Sequence, residues 1–192
     1  MPQCKAAILT GFTLEQVGFA AAAWPMRAAE ELRSALIFRA LARAARVAKV
    51  PEPWAERFAA MVLNEVGHAR LCAEVDSRLD ARGPRYDARP VRDRLAGLGD
   101  PMGRVTALLL VEAAMGETIS MALFRAGRRA ATEPLTRAAL GAIVGDEVRH
   151  QRNGWAAMTS LWPSLSGRQR EALQIEATNG FGAFEQQVAA PA

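Results

Sequence analysis

Two Glu-x-x-His pairs are the residues of this chain best suited to metal chemistry. The sequence has only two histidines, and each follows a glutamate by three positions: Glu65 precedes His68, and Glu147 precedes His150. Because residues three apart share one face of a helix, each pair can direct a carboxylate and an imidazole at one metal ion. The two pairs therefore predict a metal site.

An internal repeat indicates which further carboxylates belong to the site. Segments 31–45 and 117–131 are identical at eight of fifteen aligned positions, and both begin with a glutamate. A dinuclear carboxylate site between helices needs two Glu-x-x-His pairs and one glutamate from each of two other helices. We therefore expect Glu31 and Glu117 to complete the ligand set. Glu112 is the competitor of Glu117, because a lone carboxylate in an apolar stretch is costly unless it is partnered or binds metal.

Cys72 lies on the same face of its predicted helix as the histidine pair, four residues after His68. Two interpretations of this thiol stay open. A cysteine in such a place is usually a small core residue, but a thiol beside metal ions could also tune their access or redox chemistry.

Helices must position these side chains, and the apolar residues recur at the spacing of three and four that is typical of helices. Proline- and glycine-containing breaks separate the segments. Thr13 with Gln16 predicts a capping box, and Ser166 predicts an N-cap. The predicted helices are 13–24, 26–48, 53–81, 102–130, 134–161 and about 167–188.

Two short turns and one long connector, 82–101, predict the order hairpin, crossover, hairpin. That order is the ferritin-like connectivity of four-helix bundles. We therefore expect an all-α fold: a ferritin-like four-helix bundle over about 26–161, with extra N- and C-terminal helices. The whole chain, 1–192, is predicted to form this single domain.

Composition narrows the function classes. Two cysteines are too few for a disulfide framework and indicate a reducing, cytoplasmic setting. The first residues lack the apolar core of a signal peptide, and no apolar run reaches the length of a membrane span. The net charge is +4, but the basic stretch 82–94 also contains acids, which favours a solvated connector over a nucleic-acid interface. We expect neither a nucleic acid nor a membrane as partner.

The motifs resemble those of the bacterial ferritin-like di-iron carboxylate superfamily over about residues 26–160. The stretches that carry the resemblance are Glu31-x-x-Ser34-x-x-x-Phe38, Asn64-Glu65-x-x-His68-Ala-Arg-Leu-Cys72, Glu112-x-x-x-Gly116-Glu117-Thr118, and Asp146-Glu147-x-x-His150 with Trp155. The resemblance implies a di-iron centre with the ligands Glu31, Glu65, His68, Glu117, Glu147 and His150. Carboxylate and imidazole also accept manganese, so a manganese or mixed pair stays open.

The chain departs from the pattern of that superfamily at one position. Asn64 stands where an acid often precedes the glutamate, whereas Asp146 supplies that acid in the other pair. Carboxylates outside the ligand set commonly orient ligand histidines, so the departure predicts two unequal metals. Asp146, Glu112 and Cys72 are the predicted residues of this outer layer.

The expected function is that of a non-haem di-iron oxidoreductase, which activates dioxygen to oxidise or oxygenate a small organic substrate. Its electrons would come from the substrate or from an electron-donor protein. The alternative is an iron-storage ferroxidase or a peroxide-detoxifying protein of bacterioferritin or rubrerythrin type. A basic chain without a Cys-x-x-Cys pair weakens that alternative. The sequence leaves the substrate and the oligomeric state open, with a dimer as one option.

Overall fold

The computed structural model describes residues 11–79, 86–97 and 100–189, and this part of the chain consists of helices joined by short turns. The prediction of an all-α protein is confirmed for these residues. In chain order the elements are α1 Leu14–Val47, α2 Glu52–Arg78, α3 Arg89–Gly97, α4 Pro101–Leu108, a π-helical segment Leu109–Gly116, α5 Glu117–Ala130, α6 Pro134–Leu161, a 3₁₀ turn Trp162–Ser164, and α7 Gly167–Ala189.

Four long helices contact one another in a closed order. Helix α1 packs along α2, α2 packs on α6, and α6 packs on α5 and the π segment. Helix α4 and the π segment return to α1, which closes the ring. The short turns α1–α2 and α5–α6 make each of these pairs antiparallel neighbours. These helices therefore form a closed series of contacts.

The first helix is longer than expected. Thr13 accepts a hydrogen bond from the Gln16 backbone while the Gln16 side chain accepts one from the Thr13 backbone, so the predicted capping box is confirmed. The predicted break at Pro25 is wrong, because α1 runs through it. An interior proline removes one helical hydrogen bond. Burial of the flanking Trp24 and Ala28 in the core stabilises the helix on both sides of this defect.

The predicted connector 82–101 contains a helix. Helix α3 occupies Arg89–Gly97, and its buried Val91 packs on the core beside the half-buried Leu95. These two apolar residues are four apart, so they form one face, and the remaining positions of the short helix are mostly charged. Residues 82–85 and 98–99 of the connector lie outside the described residues.

The helix Pro101–Ala130 is continuous across the π segment. It is the one helix in the described part of the chain that is long and apolar enough to cross a membrane by length and composition; its most apolar 18-residue window has a mean hydropathy of 1.6. Within the protein 61% of this window is buried, as in the core helix of a soluble protein. The same helix carries Glu112 and Glu117 on its buried side.

The apolar core has two parts. The first apolar cluster includes Phe38, Phe58, Met61, Leu109, Ala113 and Met158. The second apolar cluster includes Ala28, Cys72, Phe124, Ile143 and Val144. Along each of the four long helices the predicted ligands fall between a residue of one cluster and a residue of the other. The core is thus a polar layer enclosed between two apolar layers.

Close packing of α6 against the π segment gives a test of this arrangement. A Cβ atom at Gly154 would lie 2.0 Å from the backbone oxygen of Ala113, whereas a Cβ at Gly145 would meet nothing within 4 Å. We expect Gly154→Ala to lower the free energy of unfolding by at least about 2 kcal/mol through overpacking. Gly145→Ala, on the same helix, should raise it by about 0.5–1 kcal/mol because alanine favours the helix. Urea denaturation of both variants measures the difference, and equal stabilities would contradict the close approach.

Candidate metal centre

The structure brings all six predicted ligands together in the space between the four long helices. Glu31, Glu65, His68 and Glu147 form one group, and Glu65, Glu117, Glu147 and His150 form a second. Within each group the potential donor atoms all lie within 4.8 Å of one another. Each of the six residues is 5% exposed or less. Both groups could hold a metal ion.

The two shared carboxylates divide their oxygens between the two imidazoles. Glu65 places Oε2 3.7 Å from Nδ1 of His68 and Oε1 2.8 Å from Nδ1 of His150. Glu147 likewise places Oε1 3.4 Å from Nδ1 of His68 and Oε2 3.6 Å from Nδ1 of His150. The imidazole rings have centroids 6.0 Å apart. Each shared carboxylate therefore faces both halves of the centre, which is the geometry of a bridging ligand.

The other two carboxylates each belong to one half. Glu31 Oε2 lies 3.4 Å from Nδ1 of His68, and Glu117 Oε2 lies 3.8 Å from Nδ1 of His150. The centre is therefore pseudo-symmetric, with one carboxylate and one imidazole at each end and two carboxylates between. This symmetry follows the repeat in the sequence.

Several buried polar atoms of the site have no hydrogen-bond partner among the described residues and could instead bind a cation. Five buried nitrogen and oxygen atoms of the site, each able to bind a metal, have no hydrogen-bond partner in the described part of the protein: Oε1 of Glu65, Nδ1 of His68, Oε2 of Glu117, Oε2 of Glu147 and Nδ1 of His150. Even the closest pair, His150 Nδ1 and Glu65 Oε1, is not aligned for a hydrogen bond. Buried polar groups are normally paired, so this concentration of lone pairs fits a metal ion. Carboxylate and imidazole donors suit iron and manganese.

A crossed outer layer holds the two imidazoles. Nε2 of His68 on α2 lies 3.1 Å from Oδ2 of Asp146 on α6, and Nε2 of His150 on α6 lies 3.3 Å from Oδ1 of Asn64 on α2. Each outer residue thus contacts the histidine of the opposite helix and leaves Nδ1 directed into the centre. Asp146 is also paired with Arg149. One imidazole is backed by a carboxylate and the other by a neutral amide, so the outer layer is unequal.

Glu112 lies outside both groups, although it is buried. Arg33 donates to both of its carboxylate oxygens at 3.1 Å, and Arg94 of α3 pairs with the same carboxylate. This carboxylate is stabilised by two guanidinium groups. Sequence reasoning missed both arginines, since Arg94 is brought there by a helix in the predicted connector. Because a buried carboxylate needs a compensating cation, the apolar surroundings of Glu112 in the sequence could have indicated that it has basic partners.

Cys72 is fully buried in the second apolar cluster and belongs to neither candidate group. Burial, followed by the negative charge of Glu31, raises the pKa of its thiol to about 12. The thiol is therefore protonated at neutral pH. This placement fits the interpretation of Cys72 as a small core residue.

The π segment ends at Gly116, directly before Glu117. A π turn contains more residues than an α turn, so eight residues of it change the rotation of everything that follows. Glu112 consequently faces Arg33, and Glu117 faces the histidines. The π segment therefore places Glu112 and Glu117, the two competing candidates from the sequence, in different surroundings.

Burial raises the pKa of the two unshared carboxylates. The pKa of Glu31 is raised to about 8, chiefly by burial and then by the charge of Glu65, while His68 opposes the rise. Burial and the neighbouring Glu147 raise the pKa of Glu117 well above its usual value. Glu31 therefore holds a proton at neutral pH in the metal-free protein, and the surroundings of Glu117 also favour its neutral form.

The pKa values of the imidazoles are raised, whereas those of the shared carboxylates are lowered. Burial alone would lower the histidine pKa values, but the surrounding carboxylates outweigh it and raise them to about 12 for His68 and about 9 for His150. Burial alone would raise the pKa values of Glu65 and Glu147, but the neighbouring imidazoles and end carboxyl groups hold both below the usual range. Two imidazolium charges thus balance two carboxylates when no metal is bound.

Comparison with protein-family models, with curated proteins and with solved structures finds no match to this chain. The ligand roles of the six residues stay a prediction that is based on their chemistry and geometry.

Metal binding should displace the protons held by the centre. At pH 7 Glu31 and both imidazoles are protonated. We expect loading with Mn²⁺ to release about three protons per centre from these groups, because metal ligands must be deprotonated. Affinity should rise with pH, and the proton release should fall as pH passes about 8 and then about 9, where Glu31 and His150 lose their protons. Calorimetry at pH 7 in buffers of different ionisation enthalpy measures the release; a heat independent of buffer would refute it.

The unequal outer layer predicts unequal metal affinities. Replacement of a residue that orients a ligand histidine typically weakens metal binding about ten- to a hundredfold. We expect Asp146→Asn to weaken the tighter binding step by that range, and Asn64→Asp to strengthen the weaker step. Mn²⁺ titrations followed by electron paramagnetic resonance resolve the two steps. Equal effects of the two isosteric exchanges on both steps would show that the outer layer does not distinguish the ligand histidines.

Proposed function

We propose that the protein is a non-haem di-iron oxidoreductase built on a ferritin-like four-helix bundle, and that it uses dioxygen to oxidise or oxygenate a small organic substrate. The observation that carries the proposal is the pair of shared carboxylates, Glu65 and Glu147, each of which directs one oxygen to each imidazole. Two acids in this position are suited to two cations held side by side.

The closed ring of four long helices supports the architectural part of the proposal. Every helix of the ring contributes at least one of the six residues, and α2 and α6 contribute a Glu-x-x-His pair each. This distribution is the one expected for di-metal carboxylate proteins of the ferritin-like kind. Helices α3 and α7 are additions to it.

The donor set favours redox-active metals over a structural ion. Structural zinc sites are typically closed and rich in cysteine, whereas this centre offers four carboxylates and two imidazoles. Such donors suit iron and manganese, and iron is the proposed metal. When bound, two ferrous ions would supply electrons and a place for dioxygen to react.

The residues of the chain have distinct roles in this proposal. Glu65 and Glu147 would hold the two ions at a fixed separation, while His68 and His150 would each bind one ion through Nδ1. Glu31 and Glu117 would complete the ends. Because the pKa values of both end carboxyl groups are raised, these groups can also exchange protons with molecules bound at the centre.

The surroundings of the centre exclude water and control its shape. Phe38 lies edge-on to His150, with ring centroids 5.9 Å apart. Apolar residues of the two clusters lie on both sides of the polar layer. A dry site strengthens the electrostatic interactions in it and limits side reactions of reactive species.

Anaerobic Fe²⁺ loading followed by dioxygen in a stopped-flow spectrometer tests the proposal. We expect two irons per chain, a transient visible absorption band after mixing, and a particle of small size. Glu65→Gln should abolish tight binding of both irons, since Glu65 belongs to both groups. Glu31→Gln should weaken the affinity for one of the two irons by at least about tenfold, as expected when a group that fixes a ligand set is lost.

The neighbouring exposed acid provides the matched control. Glu30→Gln removes a carboxylate one residue away, which is 60% exposed and belongs to neither group, so it should leave both irons bound. Continuous uptake of many irons into a large shell would replace the proposal by iron storage. Loss of peroxide coupled to iron oxidation, without oxidation of any organic compound, would replace it by peroxide detoxification.

A further inference from the structure

A groove of about 340 Å³ lies on α1 between α3 and the beginning of α4. We call it the arginine groove. Its lining consists of Leu36, Arg39, Ala40, Arg43, Ala44, Val47, Val91, Arg92, Leu95, Pro101 and Arg104. All four of its charged residues are arginines.

The neighbouring cavity differs in charge. It has a volume of about 440 Å³, lies on the other side of Val91 and Leu95, and is lined by Glu30 and Asp87 as well as by two arginines. Its positive and negative groups balance within the protein. Among the described residues that line the arginine groove none is a carboxylate, and clefts of one charge sign attract counter-ions.

The ion pairs that α1 and α3 form near the groove involve arginines outside its lining. Arg46 of α1 pairs with Glu52, and Arg89 of α3 pairs with Asp87. In the part of the chain that the structure describes, Arg39, Arg43 and Arg92 form no ion pair.

Repulsion among Arg39, Arg43 and Arg92 is therefore not compensated by an ion pair within the described residues. Arg39 and Arg43 stand four apart on α1, a spacing at which like charges destabilise a helix. The charge of Arg92 acts on Asp87 at longer range, but that acid is already paired with Arg89. A bound anion would remove this repulsion.

The floor of the groove is aliphatic. Leu36, Val47, Val91 and Leu95 contribute branched side chains, and alanines of α1 fill the space between them. No aromatic residue belongs to the lining, so the stacking surface that a nucleotide base requires is missing from it. The volume lies at the lower end of the range for small-molecule sites.

We propose that the arginine groove binds a small phosphate monoester with an aliphatic body. A phosphate monoester carries close to two negative charges at neutral pH and offers three acceptor oxygens, so several guanidinium groups can contact it together. A carboxylate carries one charge and matches one guanidinium fork. The aliphatic body would cover the leucine and valine side chains of the floor.

The groove is separate from the candidate metal centre. At 100° per residue, Ala40 and Val47 lie on the side of α1 opposite to Glu31. The phosphate site therefore does not depend on the proposed oxidoreductase function, and binding of a phosphate monoester in the arginine groove should be unchanged by Glu31→Gln.

Calorimetric titration of the full chain with three probes tests the proposal: hexyl phosphate, hexanoate and inorganic phosphate. We expect hexyl phosphate to bind at least about tenfold more tightly than inorganic phosphate, because its chain buries apolar surface. It should also bind at least about tenfold more tightly than hexanoate, because it pairs with more guanidinium groups. Added salt should weaken its binding.

The double variant Arg39→Gln/Arg43→Gln should weaken hexyl phosphate binding by at least about tenfold. Arg46→Gln is the matched control: it removes an exposed arginine of the same helix that already pairs with Glu52, and it should leave the affinity unchanged. Circular dichroism checks that each variant is folded. Equal affinity for the three probes, equal loss in the two variants, or binding of phosphatidic acid vesicles without binding of hexyl phosphate would overturn the proposal.

Discussion

The burial of four carboxylates and two imidazoles in one layer is the constraint on which the rest of this structure depends. A single buried charge is costly, and a group of like charges is more so. Within the metal-free protein protons reduce this cost: burial favours the neutral forms of the end carboxyl groups Glu31 and Glu117, and two imidazolium groups oppose two carboxylates. Two divalent cations would meet the same demand while releasing those protons.

The helices around this layer are arranged to hold it from both sides. On α2 the polar residues lie between Met61 of the first apolar cluster and Cys72 of the second, and on each of the other three helices of the ring they also lie between a residue of one cluster and a residue of the other. The apolar layers exclude water, and Gly154 lets α6 approach the backbone of the π segment closely. Tight packing on both sides limits the positions that the ligands can take, which is a requirement of any site that must fix two ions.

Two buried acids on one helix show that the same electrostatic demand has more than one solution. Glu112 is neutralised by Arg33 and Arg94, which are permanently charged, so its environment is complete within the protein. Glu117, five residues later, faces groups whose charge depends on protons or metal. The contrast distinguishes a completed ion pair from a group of residues that could hold a metal ion. The arginine groove on the far side of α1 is a third case, because Arg39, Arg43 and Arg92 form no ion pair within the described residues.

The sequence by itself determined the helical class, most helix limits and the six residues of the centre, because residue spacing along a helix fixes which side chains share a face. It also predicted the capping box of Thr13. Tertiary structure decided what depends on contacts between distant segments. Packing of Trp24 keeps α1 continuous through Pro25, and the core orders α3 inside a stretch that reads as a connector. The partners of the histidines across the centre and of Glu112 were likewise set by helices that meet only in the folded chain, where local periodicity carries no information.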